Sequence, residues 1–169
     1  YLTYKMLFLR LLDDHAMRGA NAITTVSKAL REKIAPVREN NVFVIQNGVD
    51  INLFRPMNRL KCRERLNLPE DAKIIAYAGS IQRLQGLDLL IEAFKMLKKD
   101  IKNARLVVAG RFFRGEERYI SLSQEGIIYL KSLSQENVAE LINAADVVVV
   151  PNPSNSFTRY CFPYKVVEY

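Results

Sequence analysis

From residue 60 onward, short β-branched runs alternate with amphipathic helical stretches, and this alternation restricts the fold more than any single residue does. Leu60–Leu66 reads as a short helix stopped by Asn67 and Pro69, Lys73–Ala78 (KIIAYA) as a strand, and Leu87–Lys99 as an amphipathic helix. Ala104–Ala109 (ARLVVA) and Ile127–Leu130 follow as strands with a polar loop at 111–118 between them. Then comes a helix over Ser134–Ala144, with Ser134 as its N-cap. Asp146–Val150 (DVVVV) closes the series as a wholly apolar run, the pattern of a strand in the middle of a parallel sheet covered on both faces. Strands separated by helices of this length predict an α/β fold with a doubly wound, Rossmann-like parallel sheet. Ligands of such sheets sit at the carboxyl ends of the strands, so function is sought in the loops after residues 79, 110, 131 and 150.

Upstream, Tyr4–Gly19 reads as a helix and Ala22–Val26 as a strand. Ser27 caps a helix through Ile34, and Asn41–Gln46 is a second strand ending in the turn signal Asn47-Gly48. Asp50–Pro56 holds no periodicity and is the expected linker. The chain lacks an initiator Met and stops inside an expected helix begun by Phe162-Pro163, with Pro163 in its first turn. It is therefore expected to be a piece of a longer protein.

Charge and cysteine usage remove several function classes. The 25 Lys and Arg against 18 Asp and Glu give +7, which suits an anionic partner: nucleic acid, a membrane surface or a phosphorylated ligand. The basic residues are dispersed and no RNP or zinc-finger signature is present, which weighs against nucleic acid. Cys62 and Cys161 lie 99 positions apart without a C-x-x-C, so a disulfide scaffold or cysteine zinc site is excluded and a reducing compartment suits the chain. The single His15 rules out a multi-histidine metal centre within these residues and is expected on a helix surface. No run approaches the roughly 18 to 20 apolar residues that cross a bilayer.

Gly79–Gly86 (GSIQRLQG) follows a strand and opens a helix, so its backbone N–H groups, with Arg83, can receive a phosphate, although the pattern alone favours a plain tight turn with two glycines. It is neither a P-loop nor G-x-G-x-x-G. The second glycine loop, Gly110–Gly115, continues into Glu116 where a P-loop needs Lys, and is expected to be an ordinary connection. Glu168, in the helix facing the switch-point crevice, can accept two hydrogen bonds from a ribose diol, or can pair at the surface with Lys165.

The ordered set VSKALREKI, VIQNGVDINLFRP, YAGSIQRLQGLDLLIEAF, LVVAG and AADVVVVPNPS followed by FPYKVVEY resembles the retaining GT-B glycosyltransferases of the "glycosyl transferases group 1" family, over roughly residues 20 to 169. The resemblance implies the end of an acceptor-side domain and hinge at 1–52, and a truncated nucleotide-sugar domain at 53–169. It implies donor diphosphate contacts at Gly79, Ser80, Arg83 and Gln85, with Ser80 and Gln85 standing where the family commonly has basic residues. Nucleoside contacts fall at Leu130, Lys131, Leu133 and Glu168, and a sugar and diphosphate loop at Tyr160, Phe162 and Lys165. Of the family's paired glutamates, the first is Tyr160 here and the second is Glu168. No catalytic residue is assigned.

The activity implied is transfer of a hexose, mannose or glucose type, from a GDP- or UDP-sugar to a saccharide or lipid-linked acceptor with retention. The nucleotide sugar is a substrate, and no cofactor or metal is implied, in keeping with the lack of a D-x-D. A cytoplasmic location with peripheral contact at the inner membrane face is the family expectation, and this chain alone is expected to be inactive. The rival readings are a catalytically impaired nucleotide-sugar-binding module, suggested by Gln85 and Tyr160, and a basic nucleic-acid-binding domain.

Overall fold

The computed structural model describes residues 2–112 and 126–169, with side chains described throughout these except at 2–7 and 83. Of the expected polar loop, residues 113–118 lie outside the described residues. The chain forms two compact units. One comprises 1–48 and 154–163, the other 49–153 and 164–169, a division that differs from a single boundary after residue 52.

The first unit contains α1 (Leu2–Gly19), β1 (Ile23–Thr25), α2 (Lys28–Ile34), β2 (Val42–Val44) and a 3₁₀ turn at Thr158–Tyr160. β1 and β2 pair in parallel, with Ile23 opposite Val42. Ser27 is extended and its Oγ accepts the Leu30 N–H at 3.1 Å, satisfying one of the helix's orphan donors. The Asn47-Gly48 signal does not produce a turn. The Asn47 amide instead donates to the Phe162 carbonyl at 2.7 Å. The reversal comes at Asp50, whose carboxylate accepts the Asn52 N–H at 2.9 Å and whose carbonyl accepts that of Phe54 at 2.8 Å.

The second unit contains α3 (Arg59–Arg65), β3 (Lys73–Ala78), a 3₁₀ turn at Arg83–Gln85, α4 (Leu87–Asp100), β4 (Ala104–Ala109), β5 (Ile127–Tyr129), α5 (Gln135–Ala144), β6 (Val147–Val148) and α6 (Lys165–Glu168). Its strands are all parallel, in the order β5-β4-β3-β6. Because side chains alternate across a strand, Ile74, Ala76 and Ala78 of β3 face one core, with Cys62 of α3 and Leu141 and Ala144 of α5. Tyr77 faces the other, with Leu87, Leu90 and Phe94 of α4. Helices thus cover both faces, as a doubly wound sheet requires.

Two local expectations are corrected. Asp146–Val150 does not form a central strand: only Val147 and Val148 are paired, β3 is their one neighbour among the described residues, and Val147 is 54% exposed. An apolar run reports burial without counting neighbours, and its first residue is held by other bonds. The Asp146 carboxylate accepts the Ile74 N–H at 2.8 Å, while its own N–H donates to the Ile74 carbonyl at 2.8 Å. The terminal helix is a single turn. Val167 and Glu168 donate to the Tyr164 carbonyl, so Tyr164 is the cap and Pro163 precedes it instead of occupying the first turn. Among the described residues no helix is long and apolar enough to cross a membrane.

Candidate functional site

The connection from β3 to β4 to β5 moves outward, and α5 then returns the chain to the opposite side of β3, so the winding reverses between β3 and β6. The crevice at that reversal is bounded by Gly79–Gly86 and Pro151–Pro153, and two glycines let its walls close up. Gly86 has φ +77°, and a Cβ there would lie 1.9 Å from the Pro151 carbonyl oxygen. Gly79 has φ +151°, and a Cβ there would lie 2.4 Å from both Cε and Nζ of Lys165. The missing side chain at 79 therefore makes the bed on which Lys165 rests.

Lys165 reaches this bed from α6. Its Nζ donates to the Tyr77 hydroxyl and to Gln85 Oε1, each at 3.2 Å, and stands 4.3 Å from the Tyr77 ring centroid. The Tyr77 hydroxyl spends its own proton on the Ser80 carbonyl at 2.8 Å, so its oxygen faces the amine as acceptor. Among the described residues no carboxylate forms an ion pair with this ammonium. Burial lowers its pKa to about 8, and the charge of Glu168 counters this only partly. The Glu168 carboxyl is pushed above its ordinary value by burial, against the opposing pull of Lys165. It forms no hydrogen bond or ion pair with any described residue, so the surface pairing with Lys165 is not made. Glu168 also lines a cavity of about 600 Å³ with Phe54, Met57 and Asn143. The Tyr169 hydroxyl, 3.3 Å from the Ala78 N–H and 3.4 Å from its carbonyl, pins the end of α6 to the end of β3.

Residues 58–168 match the family model described as Glycosyl transferases group 1. The chain belongs to this family. Among its curated relatives are D-inositol 3-phosphate glycosyltransferases. That of Nocardioides sp. is 34% identical over 137 residues, covering 70% of this chain and 30% of the relative. That of Mycobacterium leprae is 33% identical over 123 residues, covering 68% and 28%. The chain therefore spans under a third of the length of these relatives. Of the solved structures, Anabaena HepE in complex with UDP matches with TM-score 0.74 at 22% identity, over 90% of this chain and 43% of that one. Sucrose-phosphate synthase from Thermosynechococcus elongatus matches with TM-score 0.68 at 24% identity, over 84% and 37%. These neighbours fix the fold as the Rossmann-like α/β arrangement of GT-B glycosyltransferases.

Of the residues that the sequence singles out, Gly79, Ser80, Gln85, Lys165 and Glu168 lie in the second unit of this group 1 chain. Ser80 is exposed, and Gln85 is held between two donors, Lys165 and the Asn152 amide at 3.1 Å. Leu130, Lys131 and Leu133 follow β5 on the same carboxyl edge. The Leu130 N–H donates to the Val108 carbonyl at 3.0 Å, and Lys131, at φ +55°, accepts the Gly110 N–H at 2.7 Å. Leu130 and Leu133 pack their side chains into the core. The Arg83 side chain lies outside the described residues. Tyr160 and Phe162 belong to the first unit, where the Lys33 amine stands 4.3 Å from the Tyr160 ring centroid and the Tyr160 carbonyl accepts the Ser27 hydroxyl at 2.7 Å.

A 3₁₀ turn separates Gly79 from α4, and Asp88 in the first turn of α4 already complements the helix dipole, so the helix start is not the bare anion site that the glycine spacing suggests. Two residues of the cluster were not signalled as site residues. Tyr77 reads as one more strand residue, and Asn152 sits inside an unusual PNP run without a role of its own. Among the described residues no group of three or more His, Cys, Asp or Glu could hold a metal.

Proposed function

We propose that this chain is the nucleotide-sugar-binding part of a glycosyltransferase that transfers a hexose, of mannose or glucose type, to a saccharide or lipid-linked acceptor with retention. The single observation that carries the reading is Lys165: a largely buried ammonium with no carboxylate partner among the described residues, laid over Gly79 at the switch point of the sheet. A diphosphate is the ligand that such a group lacks, since a charge-assisted hydrogen bond to phosphate repays the cost of keeping the amine from water. Gly79, Ser80, Arg83 and Gln85 surround the diphosphate in this reading. Glu168 accepts two ribose hydroxyls, the backbone at Leu130–Leu133 receives the base, and Tyr160 and Phe162 act on the sugar side.

Positive charge on the diphosphate stabilises the departing nucleotide while the acceptor hydroxyl attacks from the same face. The nucleotide sugar is the substrate, and no cofactor or metal is invoked. The proposed setting is the cytoplasmic face of a membrane, with peripheral contact. Anabaena HepE is described with UDP and glucose, which makes UDP-glucose the first donor to assay and GDP-mannose the second. Calorimetric titration of the chain with UDP- and GDP-sugars is the test. At least one donor binds, and Glu168→Ala weakens it about tenfold or more through the loss of charge-assisted hydrogen bonds. Absence of any nucleotide binding, or an unchanged affinity in Glu168→Ala, overturns the assignment.

A further inference from the structure

The orientation of two amides in the crevice is set by a third residue. An ammonium only donates, so Gln85 turns Oε1 toward Lys165. Asn152 meets that same oxygen at 3.1 Å and must present its NH₂ to it. Its own oxygen, Oδ1, is thereby turned away, and it is a buried acceptor with no hydrogen-bond partner among the described residues. A buried polar atom left unsatisfied costs on the order of 1 to 3 kcal/mol, so a native structure that keeps one calls for a ligand or a function. Pro151 and Pro153, which flank Asn152, carry no N–H that could serve it.

The chain from Lys165 through Gln85 to Asn152 therefore has a cation at one end and an unsatisfied acceptor at the other. We infer that Asn152 Oδ1 is a specificity-determining acceptor for a carbohydrate hydroxyl of the nucleotide sugar. This rests on the donor-site reading above. A diphosphate held by Lys165 leaves a sugar on each side of it, the transferred hexose and the ribose, and both offer the O–H that Oδ1 lacks. Gly86 supports the arrangement, because only a residue without Cβ lets the Pro151 carbonyl, next to Asn152, come this close to the loop that carries Gln85.

The test compares the wild-type chain with Asn152→Ala, Asn152→Leu and Asn152→Asp by calorimetry, using UDP-glucose, UDP, monodeoxy-glucose donors and 2′- and 3′-deoxy-UDP. Asn152→Ala is expected to bind UDP-glucose about tenfold more weakly. One monodeoxy ligand binds wild type about tenfold more weakly than its parent and binds Asn152→Ala equally with its parent. That ligand names the source: a deoxyglucose donor points to the transferred sugar, a deoxyribose ligand to the ribose. Asn152→Asp keeps an acceptor at the same position and retains the discrimination; Asn152→Leu, of similar volume but without an acceptor, loses it and carries the test if the alanine variant fails to fold. If wild type binds no nucleotide, the donor-site reading fails and this inference falls with it. If wild type binds UDP-glucose and the alanine or leucine variant binds every ligand as it does, this inference alone is overturned.

Discussion

Two cations of the second unit, the buried Arg63 and the part-buried Lys165, are treated oppositely. Arg63 is 3% exposed, and its guanidinium donates to the carbonyls of Ala144, Glu70 and Ala72 and to the Asp146 carboxylate at 2.9 Å. Burial alone would raise the Asp146 pKa, but the Ile74 N–H, Arg63 and Arg59 hold it below the ordinary carboxylate range. Among the described residues Lys165 has neutral acceptors only, and burial depresses the pKa of its amine. A planar fork with fixed donors suits a closed network, whereas a compact ammonium on a flexible stem can be left short of partners until an anion arrives. Burial of charge is therefore structural at the amino end of β3 and, in the proposed donor-site reading, receptive at its carboxyl end.

The largest effect should come from breaking the closed network. Arg63→Met takes one of three donors from the Asp146 carboxylate, which keeps Arg59 and the Ile74 N–H, and removes the guanidinium from the carbonyls of Ala144, Glu70 and Ala72; it is expected to cost about 3 to 5 kcal/mol in urea denaturation. A loss below about 1 kcal/mol would make the two cations alike and end the contrast. Next, Lys165→Met should lower affinity for a nucleoside diphosphate about 10- to 100-fold, while leaving stability unchanged or raised, because an apolar isostere removes a buried charge that nothing neutralises. A drop in stability matching that of Arg63→Met would show that Lys165 is structural.

The smallest effect is in pH. With Lys165 titrating near 8 in the folded chain against an ordinary 10.5, the folded state holds fewer protons between those values, so stability rises with pH across that window. Cys62, Tyr77 and Tyr169, all pushed upward by burial, act in the opposite sense above their ordinary values of 9.0 and 10.0. The difference between the melting profiles of wild type and Lys165→Met isolates the lysine. Donor affinity should follow the amine's charge, falling as pH climbs through about 8 in wild type and staying level in the variant.

The fold was largely legible because its signals are local. KIIAYA and ARLVVA are the strands Lys73–Ala78 and Ala104–Ala109 as the pattern predicts, and Ser27 and Ser134 cap the helices they precede. The misread pieces depend on distant partners. DVVVV could not disclose that Asp146 is engaged by Ile74 and Arg63, residues 72 and 83 positions away, and Asn47-Gly48 could not disclose the carbonyl of Phe162. At the site, glycine spacing singled out the loop Gly79–Gly86, whose Gln85 the structure brings to Lys165. The meeting of Gln85 with Lys165, 80 positions on, and the part played by Tyr77 and Asn152 exist only once strand order is known.

Asp146 also acts as a phase lock. By exchanging two bonds with Ile74, it fixes which residue of the following strand stands opposite which residue of β3, and side chains on a strand change face at every step. Asn152 lies six residues downstream, beyond the end of β6, so a slip of one position in the strand, about 3.3 Å, would displace the segment that carries its amide to Gln85. The placement of Asn152 at one rim of the sheet is thus metered from the opposite rim. If the crevice receives the proposed donor, inserting or deleting a single residue between 146 and 152 is expected to change its recognition without altering any group that meets the ligand.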